Sequence, residues 1–176
     1  MYSDKELIEH CLANDPRAQE FLYKRFSRRM YGVCLRFARN TLEADDILQE
    51  GFIKVFAHLK DFRCDGSLEG WVRRVIVNTA INYYNSRLHE LNETPIDKAV
   101  IMNSTTEDIL DKISAGDLLH LIQGLPEGYR MVFNLYVIEG YNHQEIAEML
   151  KISENTSKSQ LSRARTALQE RLAQRK

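Results

Sequence analysis

The sequence is poor in the residues that break or staple a chain. Three prolines and eight glycines among 176 residues leave few turn signals. Set against abundant Leu, Ala, Glu, Arg and Gln, this scarcity favours helix over sheet. The three cysteines, Cys11, Cys34 and Cys64, are odd in number and widely spaced, with no CxxC pair. Neither a disulfide framework nor a zinc knuckle fits that spacing. No apolar run approaches the length of a membrane span, and the opening MYSDKELIEH has no apolar h-region. The expectation is a soluble, reduced, cytoplasmic protein. What the chain does have is a hydrophobic fraction of 44%, enough for a core in one domain or two small ones.

A net charge of −1 hides an uneven distribution. Arg17, Lys24, Arg25, Arg28, Arg29, Arg36 and Arg39 face one acid, Glu20, within residues 17–39. From His89 to Glu127 the balance reverses, and only Lys98 and Lys112 oppose eight acids. After Lys151 the chain turns basic again, with Lys158, Arg163, Arg165, Arg171, Arg175 and Lys176 against Glu154 and Glu170. Two charged modules around a different kind of segment would give this order. A surface helix facing only water usually mixes its signs, so the final basic run suggests a negatively charged partner.

Apolar spacing predicts helices over 4–14, 16–39 and 45–60, the last with one buried stripe through Leu48, Phe52, Val55 and Leu59. DFRCDGS, residues 61–67, reads as a turn whose Ser67 caps a helix running to about Arg87. From Leu88 the stretch LHELNETPIDKAVIMNS loses periodicity and contains Pro95. Residues 89–104 therefore read as an acidic linker between modules 1–88 and 105–176. Ser104 with Glu107 and Asn142 with Glu145 form capping boxes for further helices, and Ser153 caps the last. No strand signal survives, so the expected fold class is all-α: two small helical domains, the second ending in a helix-turn-helix.

That helix pair is separated only by Lys151-Ile152-Ser153, with small Ala147 in the first helix. The inner side of the second is Leu161, Ala164, Leu168 and Leu172, and the expected outward set is Ser157, Lys158, Ser159, Ser162 and Arg163. Such side chains can reach base edges and phosphates in a major groove. The plainer alternative is a helical hairpin with a solvated basic face. Asp45, Asp46 and Glu50 raise the possibility of a carboxylate metal site, but no His follows a Glu at the Glu-x-x-His spacing. GxSxG, P-loop and HExxH motifs are missing too. No catalytic residue, cofactor or metal is expected.

LPEGYRMVFNLYVIEGYNHQEIAEMLKISENTSKSQLSRARTALQERL resembles region 4 of bacterial RNA polymerase sigma factors, in particular the extracytoplasmic-function (ECF) group. The resemblance rests on LPE, a hydrophobic helix, EG, EIA, a turn ending in IS, and TSKSQLSRAR. It implies a module that reads the −35 promoter element. Lys158, Ser159, Ser162 and Arg163 would contact bases and phosphates, and Arg165 the DNA backbone. The sequence departs from the family at Lys151, where Gly is usual, at Ser157, where a β-branched residue is usual, and at Gln160, where Arg is usual. These departures bear on base preference more than on fold.

AQEFLYKRFSRRMYGVCLRFARN, LEADDILQEGFIKVFAHLKDF and GSLEGWVRRVIVNTAINYYNSR resemble sigma region 2 in order and spacing. The most specific part is DDxxQExFxxxF, starting at Asp45. Asp46, Gln49, Glu50 and Ile53 share one helical face, opposite the apolar stripe. The resemblance implies that this face docks on core RNA polymerase. Arg73 and Arg74 can reach phosphates, while Asn78 and Asn82 offer amides suited to an unpaired base. Phe62 on a polar loop suggests a stacking surface for an extruded base, beside Arg63, and Trp71 is assigned mainly to the core. In the family this surface captures the melted −10 element. The resemblance also implies an anti-sigma factor as a partner, often membrane-bound. The expected function is promoter recognition and transcription initiation as an ECF-type sigma factor. The competing class is a stand-alone helix-turn-helix regulator, which would not need the Asp46/Gln49/Glu50 face. A helical adaptor would require no preference for DNA.

Overall fold

The computed structural model describes residues 2–93 and 115–174, and every regular element among them is helical. The chain divides into two compact units, Met1–Tyr83 and Tyr84–Lys176. The Ser104–Glu107 box and most of the expected linker lie outside the described residues.

In the first unit, α1 (Asp4–Leu12) opens on a capping box. The Ser3 amide donates to Glu6 Oε2 at 2.8 Å, and the Glu6 amide donates back to Ser3 Oγ at 3.3 Å. α2 (Pro16–Phe37) starts on a proline at its first position, where the missing N–H costs nothing, with Asp15 accepting from the Arg17 amide at 2.9 Å. α3 (Thr41–His58) begins before the residue at which apolar spacing alone would start it, because Asn40 Oδ1 accepts from the Glu43 amide at 2.8 Å. Glu43 is buried but satisfied, taking Arg39 Nε at 3.0 Å and the Arg39 amide at 2.7 Å. A 3-10 turn (Leu59–Asp61) leads to the loop before α4 (Leu68–Glu93).

α4 overruns its expected end near Arg87 and enters the segment read as linker. Residues 88–93 have no apolar stripe but also no Gly or Pro, so the ladder propagates at little cost. The first breaker is Pro95, which disfavours helix for the residue before it. Leu22, Phe26, Met30, Ile47, Phe52, Val55, Leu68, Val72 and Ile76 fill the core between these helices. Gly51 on α3 faces Ile76 on α4 so closely that an added Cβ would collide with the Ile76 side chain.

In the second unit, α5 (Ala115–Gln123) is followed by α6 (Glu127–Phe133), which continues as a π-helical turn over Asn134–Ile138. Gly140, at φ 81°, releases the chain into α7 (His143–Leu150). α8 (Glu154–Gln174) packs across α6 and α7. Leu121, Ile122, Leu125, Met131, Leu135, Ile146, Leu150, Leu161, Ala164 and Leu168 are buried among these elements. Each buried leucine or isoleucine contributes about 1.5–3 kcal/mol, so packing rather than helix propensity holds the polar α8 in place. Arg171 Nη2 donates to the Gly124 carbonyl at 2.6 Å, satisfying an acceptor just beyond α5.

Candidate nucleic-acid interface

The helix-turn-helix is built from the two caps visible in the sequence. Asn142 accepts from the Glu145 amide at 2.9 Å, and Glu145 Oε2 accepts from the Asn142 amide at 2.8 Å. Lys151 closes α7 in the left-handed region, at φ 55° and ψ 44°. Ser153 Oγ accepts from the Thr156 amide at 3.0 Å and fixes the start of α8. The turn is held from inside by the Ile152 amide, which donates to the Ala147 carbonyl at 3.1 Å.

Lys158, Ser159, Ser162, Arg163 and Arg165 are all exposed on α8. Most of them are also engaged. Lys158 Nζ lies 2.6 Å from Glu154, and this contact holds the Glu154 carboxyl below its ordinary range. Arg163 Nη1 donates to the Tyr129 hydroxyl at 3.4 Å, and Ser159 Oγ donates to the Thr156 carbonyl at 3.0 Å. The Arg165 guanidinium sits 6.0 Å from the centre of the Tyr136 ring. The cations are therefore pre-placed by neighbours rather than loose in solvent.

Ser157 corrects the expected outward set. It is fully buried, and its Oγ lies 2.9 Å from His143 Nδ1. The reason is register: positions 157, 161, 164 and 168 form one inward stripe, and Ser157 is its first member. A buried hydroxyl needs a partner, and His143 at the start of α7 supplies it. The His143 ring in turn stacks on Tyr136 at 4.5 Å between centroids. Tyr129, Tyr136 and His143 were missed in the sequence, where nothing local marks them as supports for α8. The four-residue offset between Ser157 and Leu161 was the available signal for Ser157.

In the first unit a shallow pocket lies between the loop after the 3-10 turn and the start of α4. Asp61, Phe62, Arg63, Asp65, Gly66, Ser67, Gly70, Trp71 and Arg74 line it. Cys64 at φ 59° and Gly66 at φ 121° shape the loop, and Ser67 Oγ accepts from the Gly70 amide at 3.0 Å. Trp71 is half-buried rather than a core residue, with its ring 5.6 Å from that of Phe62. The two aromatics form one wall. Arg74, Asn78 and Asn82 are exposed at four-residue intervals, so the polar row on α4 leads directly away from the pocket. Arg73 is half-buried, one position round the helix from that row.

A second concavity runs along α3. Tyr23, Asp45, Asp46, Leu48, Gln49, Phe52, Ile53 and Phe56 line it. The Tyr23 ring meets Phe52 edge-on at 4.7 Å. Ile53 is 63% exposed and Leu42 is 71% exposed. Leu42, Asp46, Gln49 and Ile53 fall in one row, an apolar-polar mixture presented to solvent. Glu50 stands beside the row and pairs with Lys54 at 2.6 Å. Tyr23 and Leu42 were not picked from the sequence, since an isolated aromatic or leucine at a helix edge reads as core.

The first unit thus carries two concavities and the second a capped helix-turn-helix, the motif that places a helix in a DNA groove. Residues 22–88 match the family model for sigma-70 region 2, and residues 115–168 match that for sigma-70 region 4. The RNA polymerase sigma-H factor of Pseudomonas aeruginosa is 29% identical, with 96% of this chain and 93% of the relative aligned. The ECF RNA polymerase sigma-E factor of Escherichia coli is 28% identical over 94% of this chain and 92% of the relative. Among solved structures, the sigma factor RpoE in complex with the anti-sigma factor NepR from Bartonella quintana shares 19% identity at a TM-score of 0.55. That match covers 88% of this chain and 96% of RpoE. CnrH in complex with the cytosolic domain of CnrY shares 21% identity at a TM-score of 0.52, covering 98% and 99%. The chain belongs to the sigma-70 family, in its ECF group.

Proposed function

We propose that this chain is a non-catalytic subunit of RNA polymerase that docks on the core enzyme and directs it to promoters. The observation that carries the reading is the pairing, within one chain, of the solvent-facing Leu42–Asp46–Gln49–Ile53 row with a capped helix-turn-helix. A stand-alone regulator needs only the second. The α3 groove, flanked by Tyr23 and Phe56, is the docking surface for core polymerase, with Asp46, Gln49, Glu50 and Ile53 as contacts. Exposed apolar side chains ringed by carboxylates and amides suit a partner helix that carries basic residues.

The DNA is taken in two parts. α8 enters the major groove at the −35 element, with Lys158, Ser159, Ser162 and Arg163 toward the groove and Arg165 toward the backbone. At the −10 element, an extruded base enters the pocket walled by Phe62 and Trp71. Stacking there is worth about 1–3 kcal/mol. Arg63, Arg73 and Arg74 neutralise phosphates, and the Asn78 and Asn82 amides meet base edges freed by melting. The duplex pays for unstacking only where those groups wait to receive the strand. Melting is thereby favoured at one place.

Among the described residues no helix is long and apolar enough to cross a membrane. A cytoplasmic location and the absence of catalysis follow from the proposed role. The described complexes of RpoE with NepR and CnrH with CnrY support an anti-sigma factor as a further partner of this chain. The decisive experiment is reconstitution with core polymerase on a random promoter library, sequencing the transcripts. A shared pair of spaced elements upstream of the start sites is the expected result. Transcription no different from core enzyme alone would remove the reading.

A further inference from the structure

Lys151 holds a conformation that a side chain makes costly. Its φ of 55° lies in the region where glycine is at ease and a Cβ is crowded. The turn itself needs only the backbone: the Lys151 amide and the Ile152 amide both reach the Ala147 carbonyl. Lysine also places a positive charge just ahead of α8, whose N-terminal end disfavours cations. The C-terminal end of α7, which Lys151 caps, favours the same charge, so the two helix ends offset one another and the side chain gains no contact in exchange. Among the described lysines and arginines of residues 84–93 and 115–174, Lys151 alone has no side-chain hydrogen bond, ion pair or ring contact. Lys158 pairs with Glu154, Arg163 with Tyr129, Arg165 with Tyr136 and Arg171 with Gly124, while Arg87 and Arg130 are engaged as well.

Its place in the motif supplies the missing partner. In a helix-turn-helix the first helix crosses the DNA backbone, and the N-terminal residues of the second enter the groove. The turn between them therefore sits at the lip of the groove, where phosphates are densest. A flexible, exposed ammonium there can follow a phosphate without fixing the base beneath it. We propose that Lys151 is a phosphate anchor for the −35 element, kept at a strained turn position because its unpartnered charge grips DNA. The inference rests on the reading of α8 as the promoter-recognition helix.

Stability and affinity should then move in opposite directions. Full-length K151G, K151N and K151R are compared with wild type by thermal melting of the free chain. Each is then assembled with core polymerase and titrated with a fluorescent duplex promoter, selected from a random library by the wild-type holoenzyme, at several salt concentrations. K151G should melt about 2–5 °C higher than wild type. It should nevertheless bind about three- to tenfold more weakly, with a log–log salt slope shallower by about one. K151N should lose the same affinity, K151R should keep it, and the loss should be equal across single-base variants of the element. Wild-type affinity and salt slope in both K151G and K151N, with −35 discrimination intact in the wild type, would reduce Lys151 to a turn residue and leave the promoter reading standing. A loss confined to one base pair would overturn the phosphate assignment. If the wild-type holoenzyme shows no −35 discrimination, the promoter reading fails and this inference fails with it.

Discussion

Asn78 and Arg163 are alike in being exposed polar side chains on helices, yet under the proposed function they serve different moments of the reaction. Asn78 follows Arg74 along the row that leaves the aromatic pocket, and in its proposed role the base it meets exists only after melting. Asn78→Ala should leave closed-complex affinity unchanged and cost about 1–3 kcal/mol at promoter opening. Comparing duplex with pre-melted templates isolates that step; an equal loss on an unrelated control sequence would count against the role. In its proposed role Arg163 acts earlier, and its side chain is already steered by the Tyr129 hydroxyl. Arg163→Ala should cost about 1–3 kcal/mol at one or two base pairs of the −35 element. Binding measured across single-base promoter variants tests this, and a uniform loss would make Arg163 a phosphate contact instead. Both residues were legible in the sequence because exposed polar positions on an amphipathic helix follow from its period. Their neighbours were not, since Tyr129 reaches Arg163 from another helix.

At the scale of elements, α8 is oriented by one buried polar contact within an apolar seam. Ser157→Ala would leave His143 Nδ1 without its partner and should lower stability by about 1–2 kcal/mol. For a unit of this size that is a drop of about 4–8 °C in Tm per kcal/mol. A double-mutant cycle with His143→Ala should show coupling of about 0.5–3 kcal/mol; additive losses would mean the contact contributes nothing. α3 is tested differently, because its outer row supports no packing of its own. Reversing charge at Asp46 and Glu50 should weaken competition for core polymerase while helical content by circular dichroism stays constant. Loss of the Glu50–Lys54 pair accounts for only about 0.3–0.5 kcal/mol of any stability change. Undiminished competition would remove α3 as the docking surface. Among the described residues, helix starts were readable at Ser67, Asn142 and Ser153, where a capping side chain was recognised. The start of α3 at Thr41 was missed because Asn40 caps a first turn with little apolar content. The end of α4 was missed because nothing stops a helix there but a proline further on.

For the whole molecule, helical apolar spacing, scarce Gly and Pro and the caps carried the all-α class and the helix-turn-helix, whereas the pocket and the groove emerged only from tertiary packing. No period in a sequence shows that Phe62 and Trp71, nine positions apart, share a wall, or that Tyr23 leans over Phe52. Both concavities belong to the first unit, on helices that meet at Gly51. With no Cβ at that position, the α3 backbone comes directly against the Ile76 side chain of α4. An alanine there would have to displace the Ile76 side chain or part the two helices. The groove lies on α3 and the aromatic pocket at the start of α4, so this contact joins the helices that carry them. If the groove holds core polymerase and the pocket a base, as proposed, the close approach at Gly51 helps to set the spacing between the two holds.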